Sequence, residues 1–510
     1  MAFEKYIAEH QARLEKALAM GGPEKLARRK AEGILNARER IDYLVDGGSF
    51  LESGLFAKSA IPEMQEKTPA DGKVAGYGKV DGREVALVSN DFTVMGASSS
   101  LVNGRKIGHI KEVANKRGLP MVFLGESTGA RMPDVMGAGN MGRAHNPTQY
   151  RRLRETPWVS AILGYCFGSS AWYSAMSDFV VMRKGSVMAV SSPRLTSMAT
   201  GEEMDPEELG GWRMHTEITG LVDLAVDSDE EALDAVKKFL SYLPGHHHEA
   251  PPRLPVPPGS AEGSKKILEL VPESPYEVYD VRRVIRAVVD LDSLFELKAE
   301  FGKTVVTGLA RIDGRSVGII ANNPMFKGGA VDADACDKVV SFLVLCDSFN
   351  LPIILMVDQP GFLIGLEGEK KRMPGKIMNW MNAISLCTVP KIEVILRKNY
   401  GQAFLNMGGG GNADEVVAWW TADVSFMDPA SGVGVVFGVS RQSDPERFQE
   451  LLKVMARDTT AYDLAAIYGA QAVIDPRETR SYLARTLEIN ELRLTGGVGQ
   501  HLMRAWPTTF

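Results

Sequence analysis

The 510-residue chain has few cysteines, no long apolar run and no excess of positive charge. Its four cysteines lie in apolar sequence without a CxxC spacing, which excludes a disulfide framework and a cysteine-based zinc site. No apolar stretch reaches the roughly 18 residues that a membrane-spanning helix needs. The first residues lack the apolar core of a secretory signal. A net charge of -6 is not typical of a nucleic-acid-binding protein. We therefore predict a cytoplasmic protein that does not span a membrane or bind nucleic acid.

The motifs of several catalytic classes are also missing. The chain contains no GxSxG, no Walker A motif and no HExxH, which excludes the common serine hydrolases, P-loop enzymes and zinc proteases. Three consecutive histidines at 246–248 have no further ligand at helical spacing, so we predict a loop and no metal. The glycine run at 408–411 lacks the GxGxxG context, and we predict a flexible loop there. Any chemistry must come from other groups.

An internal repeat organises the chain. Hydrophobic residues make up 45% and charged residues 24%, as in ordinary globular proteins, and the length predicts more than one domain. Residues 76–129 align without a gap with residues 308–361 at an offset of 232, with 11 identities in 54 positions. The similarity continues with a shift of one residue, which pairs 157–168 with 390–401. The chain is therefore predicted to hold two copies of one unit.

Both copies show the same order of predicted elements. An Asp-Gly turn separates two β-branched runs, as in a hairpin. A helix-length segment and a buried apolar strand follow, and a second apolar strand ends on a tight turn before a helix. A Pro- and Gly-rich stretch lies between the copies and predicts a linker. We predict one domain at 1–250, a linker at 251–263 and a second domain at 264–510.

The strand ends are the candidate functional positions. A strand that ends in small residues before a helix leaves backbone N–H groups free to stabilise an oxygen anion. Four turns have this character, and they are Ser127-Thr128-Gly129-Ala130, Gly168-Ser169-Ser170, Gln359-Pro360-Gly361 and Gly401-Gln402-Ala403. One anion pocket per domain suits a reaction in which two carbonyl groups gain negative charge. A thioester that forms an enolate and a cyclic urea leaving group would be such a pair.

At these turns the chain resembles the carboxyltransferase subunits of acyl-CoA carboxylases, and the resemblance covers most of the chain. It is carried by LNARERIDYLVDGGSFLE at 35–52, SNDFTVMGASSS at 89–100, STGAR at 127–131, PEELGGWRMHTEITGLVD at 206–223, CDSFNLPIILMVDQPGFLIG at 346–365 and VPKIEVILRKNYGQAF at 389–404. The resemblance implies an α/β fold of two tandem crotonase-like (ClpP-like) β-β-α superhelix domains. It also implies a hexameric ring with acyl-CoA on the first domain and biotin on the second domain of a neighbour.

The resemblance further implies the catalytic groups. The amides of Thr128 and Gly129 would face the thioester oxygen, and those of Gln402 and Ala403 would face the ureido oxygen of biotin. Carboxybiotin would lose CO2, the ureido group would take the α-proton of the substrate, and the thioester enolate would attack CO2. No side-chain base and no metal are needed. Further substrate-binding residues are expected at the same turns, and they are Ser127, Ala130, Arg131, Gly168, Ser169, Gly361, Phe362, Phe404 and Leu405.

Several positions depart from the family pattern. Thr128 stands where the family usually has a glycine, which narrows the expected pocket but keeps the amide. The chain reads Cys166-Phe167-Gly168-Ser169-Ser170-Ala171-Trp172 where the family often reads CAGGAVY, so Ser169 replaces the second glycine, and Gln402 replaces a glycine of YGGAYD. Leu405 occupies a position where propionyl-type enzymes have aspartate. The identity of the acyl group therefore stays open.

The resemblance also implies partner proteins, and it leaves three alternative functions open. No Ala/Val-Met-Lys-Met biotinylation motif is present, so biotin is expected on a separate carrier protein, with a separate biotin carboxylase. One alternative is a biotin-dependent decarboxylase that runs in the opposite direction. Another is a crotonase-type hydratase or isomerase without biotin, in which Glu126 and Asp358 act as acid and base. A third is an inactive structural paralogue whose turns have diverged.

Overall fold

The computed structural model describes residues 3–143, 150–491 and 495–507. The chain divides into two compact units. The first unit comprises the residues up to Ser241 together with Gly245–His247, and the second comprises Tyr242–Pro244 and the chain from His248 onward. Within the described residues, no helix is long and apolar enough to cross a membrane.

The first unit contains an eight-stranded sheet. Its strands β1 to β8 are Leu51–Glu52, Lys73–Val80, Arg83–Asn90, Met121–Ser127, Trp158–Phe167, Phe179–Arg183, Val187–Ala189 and Leu224–Val226. The helices α1 to α10 are Glu4–Leu18, Pro23–Ala31, Ala37–Leu44, Leu101–Arg117, Met132–Val135, Ala138–Arg143, Ser169–Ala175, Pro193–Thr200, Pro206–Gly210 and Asp229–Tyr242.

The second unit also contains an eight-stranded sheet. Its strands β9 to β16 are Phe295–Leu297, Val305–Ile312, Arg315–Asn322, Ile353–Gln359, Lys391–Tyr400, Glu415–Trp419, Asp423–Ser425 and Ala472–Ile474. The helices α11 to α19 are Val281–Val288, Ala333–Ser348, Leu366–Lys370, Met373–Leu386, Ala403–Asn406, Pro429–Phe437, Pro445–Met455, Ala461–Ala466 and Thr479–Glu491.

The two sheets have the same topology, and the predicted repeat is confirmed element by element. The strand order is β1-β2-β3-β4-β5-β6-β8 in the first sheet, with β7 beside β5. In the second sheet the order is β9-β10-β11-β12-β13-β14-β16, with β15 beside β13. Strands β2, β3 and β4 correspond to β10, β11 and β12 at the offset found in the sequence, and β5 corresponds to β13 with the offset increased by one. The shift found in the sequence thus corresponds to one additional residue between β12 and β13, compared with the segment between β4 and β5.

Local sequence explains the equivalent turns and helix starts. The predicted Asp-Gly hairpins have positive φ at both turn residues, 49° and 78° at Asp81 and Gly82 and 53° and 75° at Asp313 and Gly314. Two successive positive φ values are typical of the type I′ turn that joins twisted antiparallel strands. The long helix after each hairpin begins at a side-chain cap. The cap of α4 is Ser100, and the equivalent cap of α12 is Asp332, whose carboxylate accepts from the Ala335 amide at 2.9 Å.

A buried lysine joins this long helix to the sheet in both units. Lys338 Nζ donates to the carbonyl oxygens of Phe301 at 2.9 Å and Val305 at 2.7 Å. The equivalent Lys106 Nζ donates to the carbonyl of Lys73, which corresponds to Val305. Burial lowers the pKa of Lys338 to about 7 and that of Lys106 to about 8. The lysine identity within the repeat therefore has a structural origin.

The segment predicted as a linker, residues 251–263, lies within the second unit. The Leu254 amide donates to the Gly314 carbonyl at 2.9 Å, and Arg253 forms an ion pair with Asp313 at 2.8 Å. These contacts place the segment beside the hairpin of β10 and β11. The division between the units falls a few residues earlier, between Ser241 and His248.

Candidate active site

The turn after β4 was predicted to offer the amides of Thr128 and Gly129 as anion donors. In the structure, the Thr128 amide already donates to the Gly96 carbonyl at 2.9 Å, and the Gly129 amide faces Ser127 Oγ at 3.2 Å. The position equivalent to Thr128 in the second unit is Pro360, which has no N–H group. The Thr128 hydrogen is therefore engaged within the fold, and its role as an anion donor stays a prediction.

The turn after β5 offers two consecutive amides that are free of acceptors among the described residues. Gly168 adopts φ 60° and ψ -127°, and its amide donates to the Val190 carbonyl at 3.3 Å. The next two amides, of Ser169 and Ser170, open helix α7 and have no acceptor in the described part of the chain. The Ser169 hydroxyl lies 2.7 Å from Ser99 Oγ. This turn is the better candidate for holding an anion in the first unit.

The turn after β13 repeats this arrangement in the second unit. Gly401 has φ 66°, and its amide donates to the Ser425 carbonyl at 3.1 Å. The amides of Gln402 and Ala403 open helix α15 and face no acceptor among the residues that the structure describes. They are the equivalents of Ser169 and Ser170, at the same place in the repeated topology. The turns after β5 and β13 therefore present equivalent pairs of amides.

Two of the predicted substrate-binding residues lie inside the first unit. Ser127 is fully buried, and its hydroxyl donates to the Ala97 carbonyl at 3.0 Å. Arg131 is 2% exposed, pairs with Asp71 at 2.6 Å and donates to the Ser98 carbonyl at 3.2 Å. Both side chains support the turn after β4 because their polar atoms are used within the protein. A substrate-binding role for either residue stays a prediction.

The other predicted positions lie at the turns with part of their surface accessible. In the first unit these are Gly168 and Ser169, and Ala130 is exposed. In the second unit they are Gly361, Phe362, Phe404 and Leu405. The ring of Phe362 packs edge-on against Trp380, with centroids 6.2 Å apart.

The glycine run predicted to be a flexible loop is packed and hydrogen-bonded. The Gly409 amide donates to the Phe404 carbonyl at 2.9 Å, and Asn412 Nδ2 donates to the Leu405 carbonyl at 3.0 Å. A Cβ atom on Gly409 would collide with the ring of Phe404, and one on Gly410 would lie 2.5 Å from Leu405 Cδ2. Positions 409 and 410 therefore have glycines because Phe404 and Leu405 occupy the space that side chains would need.

The two acids considered as catalytic groups, Glu126 and Asp358, form ion pairs with buried arginines. Glu126 is 4% exposed and accepts from Arg29 at 2.7 Å and from Arg40 at 2.8 Å. Asp358, at the equivalent strand end, is fully buried and accepts from Arg397 Nε at 2.8 Å. Both acids therefore form buried ion pairs, which is a structural role.

Replacing Glu126 with glutamine is expected to destabilise the first unit by about 3 to 5 kcal/mol, because the buried Arg29 would lose its counter-charge and Arg40 would keep only Asp229. Denaturant unfolding of the variant beside Glu112→Gln, an exposed glutamate on α4, measures the effect. A Glu126→Gln protein as stable as wild type would show that the ion pairs do not carry this energy.

A basic cavity opens beside the turns of the first unit. It has a volume of about 370 Å3 and is lined by Gly96 and Thr128. Lys25, Arg28 and Arg183 also line it. A second cavity of about 570 Å3 shares Lys25. Its other basic residues are Arg13, Lys16, Lys58 and Lys67. Among the described residues, no group of three His, Cys, Asp or Glu could hold a metal ion. The local charge therefore favours anionic ligands.

Comparison with known proteins identifies the family. A model of the carboxyl transferase domain matches residues 28–495. The chain belongs to the carboxyl transferase family. The family predicted from the sequence is thus confirmed over nearly the whole chain, and with it an enzymatic transferase role.

The relatives of this carboxyl transferase include proteins that run different reactions. It is 36% identical to the carboxyltransferase subunit of propionyl-CoA carboxylase from Haloferax mediterranei, over 96% of each chain. It is 33% identical to the α subunit of methylmalonyl-CoA decarboxylase from Veillonella parvula, over 95% of each. The transcarboxylase 12S structure, a hexamer with methylmalonyl-CoA bound, superposes with a TM-score of 0.88 at 33% identity, over 95% of this chain and 94% of that one. The predicted fold of tandem crotonase-like domains is confirmed.

The sequence analysis missed two features, namely the Ser170 amide as a candidate donor and the ion-pair partners of Glu126. Ser170 was placed in a turn but was not proposed as a donor. The shifted register of the repeat maps Gln402 and Ala403 onto Ser169 and Ser170, and that signal was available. The partners of Glu126 lie far away in the chain and had no signal in the sequence. In the carboxyl transferase, such ion pairs emerge only in the folded unit.

Proposed function

We propose that this protein transfers a carboxyl group between biotin on a separate carrier protein and the α-carbon of an acyl-CoA. The observation that carries the proposal is the pair of free amides at equivalent turns of both units, Ser169 with Ser170 and Gln402 with Ala403. Two oxyanion sites on two repeats suit a reaction with two carbonyl acceptors. The relatives that act on propionyl-CoA and methylmalonyl-CoA support an acyl-CoA substrate.

We assign the acyl-CoA side to the first unit. When the α-carbon loses its proton, negative charge collects on the thioester oxygen, and the amides of Ser169 and Ser170 would donate to it. Gly168 supports this geometry because its φ of 60° turns the strand into the helix at a conformation that favours glycine. The basic cavity near Thr128, with Lys25 and Arg28 in its wall, suits the phosphate groups of coenzyme A.

We assign biotin to the second unit, where the residues fit its chemistry. Gln402 and Ala403 offer two unpaired donors for one oxygen, and the apolar side chains of Phe404 and Leu405 follow directly. When bound, carboxybiotin supplies the carboxyl group, and its ureido oxygen is the acceptor that suits the two donors. Each donor is worth about 3 to 4 kcal/mol of barrier, judged from other oxyanion sites.

The proposal includes the partners and the direction of the reaction. We propose a homohexamer in the cytoplasm that works with a biotin carboxylase and a biotin carrier protein, in the direction of acyl-CoA carboxylation. The propionyl-CoA carboxylase relative supports this direction, and the hexameric 12S structure supports the assembly. A biotin-independent hydratase is disfavoured, because its acids would be Glu126 and Asp358, which are bound in ion pairs.

The test is carboxyl transfer by the purified protein. Carboxylated carrier protein or free carboxybiotin, labelled in the carboxyl group, is incubated with acetyl-, propionyl-, longer-chain and unsaturated acyl-CoAs. Label in any acyl-CoA would support the function and name the substrate. Unlabelled methylmalonyl-CoA with free biotin tests the reverse direction, and a reaction without biotin is the control. Hydration or isomerisation in that control, with no transfer of label, would refute the proposal.

A further inference from the structure

A buried chain of hydrogen bonds lies beneath the turn that carries Gln402 and Ala403. Asn399 Nδ2 donates to Glu393 Oε1 at 2.8 Å, and Gln359 Nε2 donates to Asn399 Oδ1 at 2.7 Å. The three polar side chains are fully buried. Hydrogen bonds between buried side chains hold their members in one geometry.

The network spans an irregularity in strand β13. Val357 of β12 pairs with Ile395, but Gln359, two residues on, pairs with Asn399, four residues on. Strand β13 therefore carries two extra residues just before the turn. The hydrogen bond from Asn399 to Glu393 joins the two sides of this bulge, which aims the end of the strand.

The same network fixes the peptide group that precedes the two free amides. Gln359 Nε2 also donates to the Tyr400 carbonyl at 3.1 Å. On the other side of that peptide, the Gly401 amide donates to the Ser425 carbonyl at 3.1 Å. The Tyr400–Gly401 peptide plane is thus held at both ends. Its orientation sets the direction of the amides that follow.

The first unit has no such network at the equivalent positions. Ser160, Cys166 and Ser127 stand where the second unit has Glu393, Asn399 and Gln359. The same bulge is present, since Gly125 pairs with Ile162 and Ser127 with Cys166. A glutamate at 393 is therefore not required by the fold of the repeat.

The state of the Glu393 carboxyl group follows from its surroundings. We find no basic side chain paired with it in the described part of the chain, and Oε2 has no hydrogen-bond partner there. Burial raises the pKa of Glu393 well above its usual value, and the Asn399 hydrogen bond only partly opposes this. Burial thus disfavours the charged form of Glu393, and Oε1 is the acceptor for Asn399.

We propose that Glu393 is a positioning residue for the second-unit anion site and acts through Asn399 and Gln359 to aim the amides of Gln402 and Ala403. This inference rests on the proposed function, in which those amides meet the ureido oxygen of biotin. Glu393 itself touches no substrate. Its effect is on the barrier of transfer, because a small displacement of a donor weakens its contact with the developing charge.

The variants Glu393→Leu and Glu393→Gln separate positioning from bulk stability. Leucine removes the acceptor for Asn399, and kcat for transfer from carboxybiotin is expected to fall about 10- to 100-fold. The KM for acyl-CoA should not change, because its site lies in the first unit. Glutamine keeps a neutral acceptor oxygen and is expected to retain kcat within about threefold. Glu393→Ser, which copies Ser160, is a milder variant if the leucine protein does not fold.

Asp347→Leu is the matched control. Asp347 is a fully buried carboxyl group in the same unit and accepts from the Thr388 amide at 2.6 Å. It lies at the start of the parallel strands, at the edge opposite the turn. Its loss is expected to lower the melting temperature without a selective fall in kcat.

Hydrogen exchange of peptides that cover residues 399–405 gives a readout without catalysis. Exchange should rise in Glu393→Leu, stay near wild type in Glu393→Gln and stay near wild type in Asp347→Leu. The inference is overturned if Glu393→Leu keeps its kcat or its exchange, or if Asp347→Leu loses kcat to the same extent. If the wild-type protein transfers no carboxyl group, the proposed function fails, and the exchange data still decide whether Glu393 orders the turn.

Discussion

Replacing Gln402 with proline is expected to lower kcat for carboxyl transfer about 100- to 1,000-fold, the usual cost of one lost oxyanion donor. Proline removes the backbone N–H, which faces no acceptor among the described residues and is therefore not needed by the fold. The backbone already suits proline, since Gln402 has φ -60°. The Gln402 side chain is exposed, so little packing is lost.

Gln402→Ala is the matched control, because it removes the same side chain and keeps the amide. It is expected to retain near wild-type kcat, with the melting temperatures of both variants close to that of the parent. Initial rates with carboxybiotin and saturating acyl-CoA provide the measurement. Equal losses in the alanine and proline variants would place the function in the side chain and contradict the amide assignment.

Replacing Ser169 with proline is expected to have an effect of the same size on the acyl-CoA side. Ser169 is the first residue of helix α7, a position where proline fits because the N–H has no helical partner. Loss of this donor should raise the barrier to enolate formation. The measurement is kcat across the acyl-CoA panel, with Ser169→Ala as the control that keeps the amide and removes the hydroxyl contact to Ser99.

Thr128→Pro tests the competing assignment that the sequence suggested. It removes a hydrogen bond to Gly96 that is worth about 1 kcal/mol, and the second unit has Pro360 at the same position. A modest loss of stability with most of the activity retained is therefore expected. Strong inactivation by Thr128→Pro together with an active Ser169→Pro would restore Thr128 as the donor.

The two candidate turns of the first unit, at Thr128 and at Ser169, show how much of the site could be predicted from the sequence. The chain pattern correctly predicted the repeat, the Asp-Gly hairpins and the two strands that lead to Glu126 and Asp358, each of which continues for one more residue in the structure. It also predicted the turn at Gln402 and Ala403. It assigned the first-unit donor to Thr128, although the equivalent of Gln402 in the repeat is Ser169. The family motif points to Thr128, and the alignment of the two halves points to Ser169.

The sequence by itself determined the order of the elements and the places where strands end. These features depend on local properties, namely apolar runs, helix caps and glycines at positive φ, which are encoded within a few residues. The tertiary structure alone decided which amides stay free of hydrogen bonds and which acids form ion pairs. The Thr128 amide meets the carbonyl of Gly96, and Glu126 meets Arg40, although both partners are distant in the sequence. Such partners come together only when the chain packs, because a hydrogen bond depends on distance in space and not on distance along the chain.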